Sequence, residues 1–261
     1  VRATDDDEEL GNWNPHIRSL IAYNAESRVV ESMRPNGVLL AQISPRGGRI
    51  SGTSSIVQLD AWNWEDAVIK ADDGIHLNWP STFSRGRWWL GEDPGLKSNP
   101  KYSSQTSEIE AYFNNAKANS NNAKAKLNLP LNAMRGLFDQ SKTLYIHVND
   151  EKGIVDAVEF SNSQGLSKSV IVGGYEAFKV ANYLKENAIS VLLNRVHSRP
   201  NHDDQDYDLP YKMAYLLVEA GVTVGLETSG DMERMNSRNL PFYAGTTVAH
   251  GLSKEQALQL I

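Results

Sequence analysis

Three side chains able to do chemistry close short strand-like runs: His147 after TLYI, Asn194 after SVLL, and Glu227 after VTVGL. A neutral imidazole can transfer a proton or ligate a metal, although a lone histidine is also a common structural hydrogen bonder. Glu227 is followed four residues later by Asp231. Two carboxylates can divide acid and base duties when their surroundings separate their pKa values. The expected catalytic set is therefore His147, Glu227 and Asp231. Asn194, Arg195 and His197 are the expected substrate-binding set. His197 opens an acidic loop, HSRPNHDDQDYD, at 197–208. It offers His202 and several aspartates to a cation, but it lacks the glycine and closing glutamate of a calcium loop, and a solvated acidic loop is the better reading.

These residues need a frame that brings strand ends together. Apolar runs at 143–148, 169–173, 190–194 and 222–227 alternate with helical faces. One face carries Tyr175, Phe178, Ala181 and Leu184; another carries Met213, Leu216, Leu217 and Ala220, with Gly221 as its stop. Such alternation predicts a parallel sheet with helical crossovers, whose ligand-facing rim is formed by the loops after the strands' carboxyl ends. His147, Gly173, Asn194 and Glu227 then share one mouth. Residues 38–43 read as a further, buried strand. The stretch 80–130 is polar, contains Trp88 and Trp89, and reads as an insertion or lid, helical over about 107–126.

At 261 residues the chain fits one domain, 1–261. A net charge of -6 excludes a general field for nucleic acid, and no apolar run is long enough to insert in a membrane. The absence of cysteine excludes disulfides and thiolate ligands, and leaves both an exported or periplasmic and a cytoplasmic location open. The glycine-rich loop at 45–52 lacks the Lys of a phosphate-binding loop, with Thr53 and Ser54 standing there instead. No Gly-x-Ser-x-Gly elbow or His-Glu-x-x-His helix occurs. Ser253 and Gln256 form a capping box for a short helix that reaches Ile261, so further sequence is expected beyond that residue, and before Val1 as well.

The motifs GVLLAQ (37–42), PRGGRISG (45–52), LYIHV (144–148), VTVGLETSGD (222–231), NLPF (239–242) and GLSKEQAL (251–258) resemble the amidohydrolase superfamily, in particular its imidazolonepropionase-like branch. The resemblance covers most of the chain. It implies a TIM-type (β/α)8 barrel, here an incomplete one lacking the first strand and the family's β-sandwich. It also implies hydrolysis of non-peptide C–N bonds in cyclic amides or dipeptide-like substrates, with zinc polarising a water and a carbonyl. Of the implied ligands, His147 fits the histidine after the fifth strand. The position after the sixth falls near Gly173, the aspartate after the eighth aligns with Ser229, and no His-x-His pair is present. His147 is thus the lone surviving metal ligand of a degenerate site.

Two other functions compete with this one. A non-catalytic barrel would bind a small molecule or carbohydrate, and a metal-free carboxylate enzyme such as a glycosidase would use Glu227 with a second acid. All three readings take a small-molecule partner and leave homo-oligomerisation open.

Overall fold

The computed structural model describes residues 11–86, 90–93, 95–122, 126–194, 196–229 and 233–261. One seven-stranded sheet dominates, in the order β1 (Leu40–Ile43), β2 (Ile50–Gln58), β3 (Val68–Asn78), β6 (Thr143–Val148), β7 (Ser169–Gly173), β8 (Ser190–Asn194) and β9 (Val224–Glu227). The hairpin of β4 (Phe83–Arg85) and β5 (Leu96–Ser98) stands apart from it. Within the large sheet, β3, β6, β7, β8 and β9 pair in parallel. The pairs β1–β2 and β2–β3 are antiparallel. The fold is α/β and corresponds to a TIM-type barrel left open as a half-barrel.

Among the described residues, ten α-helices accompany the strands: α1 (Arg28–Met33), α2 (Trp64–Ala67), α3 (Tyr102–Asn121), α4 (Leu129–Ala133), α5 (Arg135–Phe138), α6 (Glu151–Gln164), α7 (Ala181–Glu186), α8 (Leu209–Glu219), α9 (Leu240–Ala249) and α10 (Lys254–Leu258). The parallel pairs require crossovers, and helices supply them. Alternation along the strands gives each one a face for these helices. Leu144, Ile146, Ile171, Val191 and Leu193 are at most 1% exposed and join Ile154, Val158, Leu184, Met213 and Leu217 of α6, α7 and α8 in one core. Local chemistry sets the helix ends. The Asp150 carboxylate accepts from the Gly153 amide at 2.8 Å to start α6. Gly221, at φ 86°, terminates the segment containing α8.

The strand expected at 38–43 needs correction. It begins at Leu40 and lies at the sheet's edge, not in its interior, with Leu39 and Leu40 60% and 55% exposed. A covered strand needs a layer on each face, and β1 has only the small cluster of Leu20, Val30, Met33, Val38, Val57 and Leu59 beside it. Within the stretch read as an insertion or lid, α3 starts five residues before the expected helix and belongs to the β3-to-β6 crossover. Its Ile109, Phe113 and Ala116 are fully buried in the main core. Three apolar side chains at i, i+4 and i+7 suffice to seat a helix that is otherwise polar. Trp88 and Trp89 lie outside the described residues.

Candidate functional site

The parallel register sets the composition of the concave face. Asn78 pairs with His147, His147 with Val172, and Asn194 with Glu227, so these side chains project from neighbouring strand ends to one side. They line a cavity of about 1040 Å³, closed at its rim by the 44–47 loop and by residues 197–201 of the acidic loop. The cavity collects five of the expected positions: His147, Gly173, Asn194, His197 and Glu227. Arg195 and Asp231 lie outside the described residues. His202 faces a separate hollow shared with Asp150, Glu176 and Asp204.

At the cavity floor, His147 is not alone. Its Nε2 lies 2.8 Å from Nδ1 of His76, and one ring donates to the other. His76 is 3% exposed and stacks on Tyr145, with centroids 4.8 Å apart. The Tyr145 hydroxyl donates to Asp73, a carboxylate also held by Ser54 and Gln42 at 2.9 Å each. Burial and the neighbouring His147 push the His76 pKa down to about 3. Burial and the charge of Arg46 bring His147 to about 4. Both rings are therefore neutral near pH 7, since desolvation penalises the charged form. His76 was not among the residues singled out from the sequence. The signal available was the alternation Gly74, His76, Asn78 against Ile75 and Leu77.

The other expected residues are held individually. Glu227 accepts the Ser229 backbone N–H through Oε2, a contact that turns the chain sharply after β9. The Asn194 Oδ1 is buried and has no partner among the described residues. Nε2 of His197 pairs with the Thr246 hydroxyl at 2.6 Å, and its ring meets Tyr243 edge to face, tying the loop to α9. Gly173 has a positive φ of 95°, and a Cβ there would meet Oδ1 of Asn149 at 2.6 Å. A larger side chain at the end of β7 is thus opposed by both backbone and space.

That geometry bears on zinc, the cofactor the resemblance implies. A catalytic zinc takes about three protein ligands. Among the described residues no group of three His, Cys, Asp or Glu side chains converges. Gly173 has no donor, and Nε2 of His147 is engaged by His76. These residues do not fit the metal.

The fold has a known counterpart. The structure superposes on an amidohydrolase from Thermotoga maritima MSB8 with a TM-score of 0.79 and 18% sequence identity, over 97% of this chain and 67% of that one. No protein-family model matches the sequence, and no curated protein matches it. The class defined at this level is an open α/β barrel of amidohydrolase-like shape. Among the described residues, no helix is long and apolar enough to cross a membrane.

Proposed function

We propose that the chain binds a small molecule at the carboxyl-end mouth of its half-barrel and hydrolyses a non-peptide C–N bond in it, a cyclic amide or dipeptide-like linkage, without a zinc centre. The observation that carries this reading is the convergence of His147, Asn194 and Glu227 from three strands on one cavity, in a fold shared with a solved amidohydrolase. Glu227 takes a proton from the attacking water, Asn194 and the neutral His147 hold the substrate's polar groups, and the proton passes to the leaving nitrogen. Asn194 and His197 orient the substrate at the rim, Arg195 belongs to the same substrate-binding set, and Asp231 is the second acid of the catalytic set. The net charge of -6 favours a small molecule over nucleic acid.

A second reading has its own support. Glycine and serine stand at two positions where the resemblance implies ligands, which suits a barrel that binds without turnover. A panel of cyclic amides, cyclic imides and dipeptides, followed by release of the free amine, separates the two. Saturable hydrolysis supports the enzyme. Saturable binding with no amine released from any member favours the binding barrel.

A further inference from the structure

Behind the mouth lies a second chamber of about 610 Å³. It is formed where the N-terminal segment and β1 cover the concave face, and its walls include Tyr23, Val30, Met33, Ala41, Ile43 and Leu192. The two spaces are continuous in their lining: Pro45, His147, Val172, Glu227 and Ser229 border both. Their chemistry differs. The outer chamber carries Arg46, Arg199, Asn149 and Asn194, whereas the inner wall exposes mostly apolar surface, with Arg18, Gln42 and Glu227 among its polar residues.

We propose that the ligand is a bipartite amphiphile whose carboxylate or similar anionic end lies in the outer chamber and whose apolar end fills the inner one. This rests on the mouth being the ligand site, as in the function proposed above. Arginine guanidinium groups favour a carboxylate at the outer end. A mostly apolar surface disfavours a charged group at the inner end and rewards each methylene removed from water. The chamber's size falls within the range of small-molecule pockets. His147, Val172 and Glu227 mark the junction, so the bond to be cleaved sits between head and tail.

Calorimetric titration with straight-chain carboxylates from butanoate to decanoate tests this without requiring turnover. The wild-type chain is expected to bind about three- to fourfold more tightly per added methylene. Ala41→Phe, on the half-buried edge strand, should abolish that increment beyond the shortest acids. Leu192→Phe, on the opposite wall, should do the same and guards against a folding defect in the first variant. Arg199→Ala should weaken every chain length by a similar factor. Affinity independent of chain length in the wild type, or a chain-length dependence retained in both chamber-filling variants, would overturn the proposal. A protein that binds the series as expected yet hydrolyses no amide loses the enzymatic reading and keeps this one. A protein that hydrolyses amides with a flat carboxylate series does the reverse.

Discussion

The same parallel strands present two unlike faces. Toward the helices, Leu144, Ile146, Ile171 and Val191 are fully buried in one continuous core. Toward the concavity, residues one position away in sequence, including Tyr145, His147, Leu192, Asn194 and Glu227, are half-buried and mostly polar. A closed barrel packs its interior with side chains in layers. Here the sheet is open and flanked by antiparallel β1 and β2, so the interior face is free to carry polar groups and cavities. The continuous apolar core lies on one side of the strands and the polar cavity on the other.

Breaking the helix-facing side should have the largest effect. Phe113→Ala removes a fully buried ring from α3 and is expected to cost about 3–5 kcal/mol in chemical denaturation. A cost under about 1 kcal/mol would show that α3 is not part of the core layer.

The concave side should announce itself through pH. His76 and His147 have folded pKa values of about 3 and about 4, below the ordinary 6.5, so the unfolded chain takes up protons first as pH falls. Stability is therefore complete above about pH 6.5 and is lost as pH falls towards 4 and then 3, as the two histidines take up protons. Denaturation midpoints between pH 7 and pH 4 check this, and His76→Phe should flatten the acid limb.

His147→Ala leaves Nδ1 of buried His76 without its partner and should cost about 1–3 kcal/mol. Ligand binding should fall more than that loss of stability explains, a comparison read by calorimetry beside denaturation. The smallest effect belongs to the edge: Leu40→Lys, at a position 55% exposed, should change stability by less than about 0.5 kcal/mol.

The parallel strands were legible because each is a short apolar run with a clear period. Three match their expected bounds, and β9 starts two residues late because Val222 closes the α8 turn, donating to the Leu217 carbonyl at 3.0 Å. β2 and β3 were illegible for the opposite reason. β2 is rich in Gly and Ser, and β3 carries Lys70, Asp72 and Asp73, with Asp72 at φ 54°, so neither shows an uninterrupted period. With β3 unread, His76 was lost as well. Its pairing with His147 spans 71 residues and has no local sequence signature. The cavity residues at strand ends could be placed in advance, whereas the inner chamber depends on how the N-terminal segment folds over the sheet.

The central claim is that the polar concave face performs the proposed chemistry and that Glu227 serves it without holding the fold. Glu227→Gln tests it most directly, measured as amide hydrolysis and melting temperature on the same preparation. The account predicts a loss of turnover of at least about 100-fold, with a melting temperature within about 2 °C of the wild type. Unchanged turnover, or a collapse of the melting temperature with turnover per folded molecule retained, would contradict it.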